Sequence, residues 1–277
     1  MKPLSEQVIM VTGSTDGIGK LTAIELAKKG ATVLLHGRSE ERGRNTLREV
    51  RDTTGNKNVE FYLANLSSLQ SVRQLAKEVA ANYSCLDVLI NNAGVLGKRD
   101  DPRMLSKEGY ELHFAVNHLA PFLLTQLLLP LLRNAAPSRI VNVSSTAQQP
   151  IDFDDVMMER NFDALQAYAQ SKLALVMFTI DLAEKLKDDQ ITVNALHPGS
   201  LLDTKMVRNT FGNAWGSAQS GADAVFYLAT SPDLTETTGA YFDQQEQTQA
   251  NGQAYEDAAR QKLWKLSEQL TGFEFNG

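Results

Sequence analysis

The sequence predicts a single α/β domain spanning residues 1–277: a doubly wound, seven-stranded parallel sheet with helices on both faces. Three observations predict it. Short runs rich in Val, Ile and Leu alternate with longer segments of helical period, the rhythm of a sheet covered on both sides. A glycine-rich turn joins the first such run to the first helical segment. No stretch is rich enough in Pro, Gly or Ser to mark a linker, and no internal repeat divides the chain.

In chain order, a strand at Val8 to Thr12 leads into a helix at Gly17 to Lys29 and a second strand at Ala31 to Leu35. Strands follow at Val59 to Leu63, Leu86 to Ile90, Arg139 to Val143 and Ile191 to Leu196, with helices at Ser68 to Tyr83, Leu112 to Arg133 and Leu165 to Lys187 between them. Ala240 to Asp243 reads as the last strand, before a polar segment, Gln244 to Gln253, and a C-terminal helix, Ala254 to Leu270. Two segments break the rhythm, Thr146 to Asp163 and Gly199 to Ser220. Each follows the C-terminal end of a strand, where open α/β sheets bind ligands, so both are expected to wall a substrate pocket.

Bulk properties exclude several function classes. With 43% hydrophobic and 22% charged residues the chain is an ordinary globular protein rather than a disordered or fibrous one. Lys and Arg total 27 against 33 Asp and Glu, and no basic run stands out, so nucleic acid is not an expected partner. The single cysteine, Cys85, rules out an intramolecular disulfide, and no His or Cys pair has metal-ligand spacing. A reducing, cytoplasmic setting is expected. The opening residues lack the apolar core of a signal peptide, and the longest apolar stretch, Leu119 to Leu132, contains Pro121, Thr125, Gln126 and Pro130. It reads as a buried helix, not a membrane span.

The turn Gly13-Ser14-Thr15-Asp16-Gly17-Ile18-Gly19 sits between a strand and a helix. Glycines there allow a tight turn and let a pyrophosphate approach the helix N-terminus, whose free N–H groups favour an anion. Discrimination between dinucleotides belongs at the end of the second strand, where an acidic residue would bind a ribose 2′-hydroxyl. The chain reads Leu35-His36-Gly37-Arg38-Ser39 there, with no carboxylate. Arg38 can pair with a 2′-phosphate and Ser39 can donate to it, which favours NADP(H), with NAD(H) as the alternative if Glu40 or Glu41 reaches the ribose instead.

Tyr168 and Lys172 stand at i and i+4 in a helical segment and share one face. An ammonium beside a phenol favours the phenolate, so the pair predicts a tyrosine whose pKa falls from about 10 towards neutrality, a general acid/base.

With the glycine turn, Asn91-Asn92-Ala93-Gly94 after the fourth strand, Asn117, Ser144-Ser145 closing the fifth strand, Tyr168 with Lys172, and Pro198-Gly199 after the sixth strand, the chain resembles the short-chain dehydrogenase/reductase family over nearly its whole length. The resemblance implies a Rossmann-type sheet of order 3-2-1-4-5-6-7, with Tyr168 as the proton donor or acceptor. It implies that Ser145, or the adjacent Ser144, hydrogen-bonds the substrate oxygen, that Lys172 holds the nicotinamide ribose, and that Asn117 fixes a water in a proton relay. Asn92, Ala93 and Gly94 would line the adenosine side or brace the central sheet. Asn65-Leu66 stands where the family usually has Asp-Leu beside the adenine, Pro198-Gly199 would border the nicotinamide, and Thr204 would reach its carboxamide. His118 and His197, beside motif residues, read as packing or capping groups.

The interval from Ser145 to Tyr168 is longer than in compact members of that family. With Leu263-Trp264-Lys265-Leu266-Ser267 and Leu270-Thr271-Gly272, it resembles the retinol-dehydrogenase-like and WW-domain-oxidoreductase-like branch. That resemblance implies a small apolar alcohol or carbonyl as substrate, and the family commonly forms homodimers or homotetramers through helices, here Leu112 to Arg133 and Leu165 to Lys187. The rival reading is an inactive NADP(H)-binding sensor or scaffold, against which stands the intact set Asn117, Ser145, Tyr168 and Lys172.

Overall fold

The computed structural model describes residues 1–275. Eight strands form one sheet: β1 (Val8–Val11), β2 (Thr32–Gly37), β3 (Val59–Leu63), β4 (Val88–Asn91), β5 (Ser138–Val143), β6 (Ile191–His197), β7 (Tyr241–Asp243) and β8 (Glu246–Thr248), in the order β3-β2-β1-β4-β5-β6-β7-β8. The first seven run parallel in the expected order. The eighth is a correction: Gln244 to Gln253 was expected as a polar segment, but β8 folds back antiparallel on β7, pairing Tyr241 with Thr248. Its three residues are polar and exposed, and its turn places Gln244 at φ 55° where a glycine or asparagine usually signals a hairpin, so neither the strand nor the turn leaves the usual trace in the sequence.

Side chains alternate across the sheet with period two and feed two cores. Met10, Leu34, Leu89, Ile140 and Val193 point to one face, where α3 (Leu69–Asn82), α4 (Leu112–Ala135), α5 (Ala164–Lys185) and α8 (Asp257–Thr271) pack. Val11, Leu35, Ile90, Val141 and Leu196 point to the other, against α1 (Gly17–Lys28), α2 (Glu40–Thr54) and α7 (Ala218–Thr230). The helix α2 buries only Gly43, Thr46 and Val50, too thin an apolar stripe to read as periodic; Ser39 caps its start and Gly55, at φ 71°, ends it. The short α6 (Lys205–Phe211) buries no residue at all.

Among the described residues α4 is the one helix long and apolar enough to cross a membrane, and 89% of its most apolar window is buried inside the fold. Its second turn, Ala115–Leu119, is π-helical, a local widening that recurs at functional sites, and Asn117 lies at its centre. α8 lies across α5 and α4. Arg260 donates to Asp181 at 2.7 Å, and Trp264 packs on Phe122 and Phe178 with ring centroids 5.1 and 5.9 Å away.

Candidate active site

The C-terminal ends of β1, β2, β4, β5 and β6 open on one cavity of about 1310 Å³. Ordinary ligand pockets run to about 1,000 Å³, so this one has room for a dinucleotide and a substrate together. At its floor Gly13 takes φ +66° and lies so near Ala93 that a Cβ would stand 2.8 Å from the Ala93 Cα. A side chain at Gly19 would collide with the Asn92 amide and the Gly13 carbonyl. Both close approaches depend on Asn92, whose Nδ2 donates to the carbonyls of Thr12 (2.8 Å) and Gly13 (3.2 Å). Thr12 Oγ1 accepts from the N–H groups of Asn92 and Ala93, each at 3.0 Å. Asn92, Ala93 and Gly94 line the cavity while Asn92 also braces the turn, so its two proposed roles coexist.

Sequence reasoning missed the histidine that holds this turn to β2. His36 is buried; its Nδ1 accepts from the Gly13 N–H at 3.1 Å and its Nε2 lies 3.2 Å from the Ala64 carbonyl, so Nε2 carries the proton. Burial pushes its pKa down to about 4. Ser14 completes the tie: its hydroxyl accepts from the His36 N–H at 2.9 Å, and the fully buried side chain does not line the cavity. Thr15, Asp16, Gly17, Ile18 and Gly19 do line it. Asp16 caps α1 by accepting from the Gly17 N–H at 2.8 Å; the amides of Ile18 and Gly19 are among those an α-helix leaves without internal partners.

At the adenine end Asn65 and Leu66 line the wall, and Asn65 Oδ1 accepts from Ser67, leaving the amide nitrogen as its donor. Arg38 lines the cavity, and so does Arg42 from the first turn of α2. Ser39 does not, because its hydroxyl caps α2 at the Arg42 N–H. Neither Glu40 nor Glu41 borders the cavity, and Glu40 is paired with Arg44 at 2.6 Å.

Where β5 ends against α5, the reactive groups meet. Ser145 stands beside Tyr168, near enough to act on its phenol. Ser144, the alternative, donates its hydroxyl to the Lys172 carbonyl at 2.8 Å and thereby ties α5 to β5. Lys172 Nζ donates to the Val143 carbonyl at 2.8 Å and lies 5.6 Å from the Tyr168 ring centroid. The expected lowering of the tyrosine pKa is not found. Burial holds the Tyr168 phenol above its ordinary value, with Ser145 as a partial offset, and burial pulls Lys172 down to about 8. Desolvation disfavours the charged form of each group.

Asn117 is fully buried and does not line the cavity. Its Oδ1 accepts from the Val95 N–H (2.8 Å), and its Nδ2 donates to the Val95 carbonyl (3.0 Å) and to Ser171 Oγ (2.9 Å). Its side chain therefore locks the loop after β4 to α5. His118 packs among Phe114, Phe122 and Phe178 and bonds Ser267 at 2.7 Å, and burial lowers its pKa to about 3. His197 lines the cavity and bonds Ser200 at 3.1 Å.

Pro198, Gly199 and Thr204 border the cavity as expected. Thr204 caps α6 through the Val207 N–H and lies over Gly17, so the 199–220 segment roofs the glycine turn. Of the 146–163 segment only Thr146 and Ala147 reach the cavity; Gln148 and Ile151 bond Asn251 and Gln253, while Met157 and Asp163 are held by Arg103 and Arg99 of the loop after β4. The remaining wall comes from the loop after β4, through Leu96, Met104 and Leu105, which carried no motif.

The family model for short chain dehydrogenases matches residues 7–214. The chain belongs to the short-chain dehydrogenase family. Retinol dehydrogenase 13 of Homo sapiens is 38% identical over 97% of this chain and 85% of the relative, and retinol dehydrogenase 11 of Homo sapiens is 38% identical over 97% and 87%. A Shigella flexneri protein described as a short chain dehydrogenase complexed with NADP is 30% identical, with TM-score 0.70 over 87% of this chain and 97% of that one. Within the family the chain falls in the retinol-dehydrogenase-like branch. It is an oxidoreductase of alcohol and carbonyl groups that uses a nicotinamide dinucleotide.

Proposed function

We propose that the chain is an NADP(H)-dependent reductase of a small apolar carbonyl compound, of the retinal or medium-chain aldehyde kind. The observation that carries this reading is the Tyr168 phenol beside Ser145, at the end of a cavity that Arg38 and Arg42 line and that neither Glu40 nor Glu41 reaches. Leu112, Val116, Leu165, Met206 and Phe211 support an apolar substrate between those ends. The NADP-bound relative and the retinol dehydrogenase relatives support the same choice of cofactor and substrate class.

The residues fit the cofactor. The amides of Ile18 and Gly19 would receive its pyrophosphate, Arg38 and Arg42 its 2′-phosphate, and Lys172 its nicotinamide ribose. Bound there, the nicotinamide supplies the hydride. Ser145 donates a hydrogen bond to the substrate oxygen and orients it, and the Tyr168 hydroxyl gives that oxygen its proton. The phenol is protonated at working pH, the form that gives a proton in reduction. Asn117 keeps Val95 and Ser171, and through them α5, in register.

The test is loss of NADPH absorbance with retinal or a medium-chain aldehyde, in the native enzyme and in Tyr168→Phe. Turnover is expected to disappear in the variant while NADPH affinity stays within about tenfold, since at most one neutral hydrogen bond is at stake. Unchanged turnover would remove Tyr168 from the chemistry. No turnover in either protein, with tight NADPH binding, would favour the sensor reading.

A further inference from the structure

The main-chain carbonyl of Ser145 receives two side-chain hydrogen bonds, from Tyr241 Oη at 2.9 Å and from Gln148 Nε2 at 2.7 Å. The position explains why two are needed. The last ladder bond between β5 and β6 is the Ser144 N–H to the Leu196 carbonyl, at 2.7 Å. Beyond it the chain leaves the sheet, and no strand fixes the plane of the peptide that follows Ser145. The Ser145 hydroxyl meanwhile accepts from the Ala147 N–H at 3.1 Å and faces the Tyr168 phenol. A small rotation of that peptide would swing the hydroxyl off Tyr168.

The donors are themselves anchored from the far end of the chain. Tyr241 is buried on β7, held between β6 and the antiparallel β8. Gln148 presents Oε1 to the Asn251 N–H at 2.9 Å, just after β8. Two residues on, the Gln253 side-chain amide pairs with both the N–H (2.6 Å) and the carbonyl (3.2 Å) of Ile151.

We infer that Tyr241 and Gln148 are positioning residues, which set the Ser145 hydroxyl through its own carbonyl and make the β7–β8 hairpin part of the catalytic apparatus. This rests on the role assigned above to Ser145. The Tyr241 phenol is kept protonated by burial and remains a donor at every working pH.

The test is a double-mutant cycle on NADPH-dependent reduction of a medium-chain aldehyde, measured in single turnover so that slow variants stay readable. Tyr241→Phe, which keeps the ring and removes the donor, is expected to slow the step about five- to tenfold, with NADPH affinity unchanged, as the loss of one hydrogen bond implies. Ser145→Ala should slow it more, and the Ser145→Ala/Tyr241→Phe double variant should be no slower than Ser145→Ala alone. If the two losses multiply, Tyr241 acts on the fold and not through Ser145, and the inference is overturned. If Ser145→Ala is fully active, the role of Ser145 itself fails, a different result. Gln148→Ala, at a half-buried loop position, runs the same cycle should Tyr241→Phe not fold.

Discussion

Replacing Arg38 with Ala should separate the two dinucleotides. Arg38 and Arg42 line the cavity at the end of β2, neither Glu40 nor Glu41 reaches it, and the only part of NADPH that NADH lacks is the 2′-phosphate. A hydrogen bond to a charged group is worth about 1.5–3 kcal/mol. Both arginines are exposed to solvent, which places each at the lower end. At ~1.5 kcal/mol, Arg38→Ala should weaken NADPH about tenfold. The Arg38→Ala/Arg42→Ala pair should approach about a hundredfold if the two act independently. NADH should change by less than about twofold, because it has no group for either side chain. The assay is titration of the purified protein with each reduced cofactor, following nicotinamide emission. Equal losses for NADPH and NADH would refute the argument, since they would mean that Arg38 supports the fold of the site and does not read the phosphate.

Two further predictions concern buried groups and pH. His36 has its pKa lowered to about 4, so between pH 6.5 and 4 the unfolded chain binds the extra proton and the folded one does not. The stability this group contributes is complete above pH 6.5 and is lost as pH falls, by ~3 kcal/mol; urea midpoints at pH 7 and 4.5 should fall less in His36→Gln than in the native protein, and equal falls would contradict the assignment. Lys172 is lowered to about 8, so its burial costs stability below pH 8 that returns as pH rises towards 10.5, again by ~3 kcal/mol. Lys172→Met should therefore be inactive yet more stable than the native protein at pH 7, with the gap closing by pH 10; a less stable variant at pH 7 would show that the bond to the Val143 carbonyl outweighs the desolvation.

The parallel sheet was legible because each buried strand is a short apolar run with its own boundary, as in Val8–Val11 and Ile191–His197. Helix α2 was not, since an exposed helix held by Ser39 and Gly55 buries almost nothing with a period. That gap hid Arg42, which reaches the cavity only because α2 starts where it does. Tyr168 and Lys172 were legible from i,i+4 spacing, but spacing reports charges and not desolvation, so the direction of the tyrosine shift came out reversed. The split between Ser144 and Ser145 needed coordinates, because one peptide step ties one hydroxyl to the Lys172 carbonyl and leaves the other beside Tyr168. His36 could have been found: an imidazole at the end of β2, facing a glycine turn with N–H groups to satisfy, is a natural acceptor.

The helix α8 has a bearing on how copies of this chain can associate. The middle of α5, from Ala169 to Thr179, is wholly buried by the chain's own residues, and α8 supplies part of that cover through Arg260 and Trp264. α4 is enclosed almost as fully. Pairing through these two helices, the route a family dimer would suggest, would require α8 to be stripped away, breaking the Arg260–Asp181 ion pair and exposing the Trp264 cluster to water. The chain's own C-terminal helix already stands where such a neighbour would rest on this part of α5.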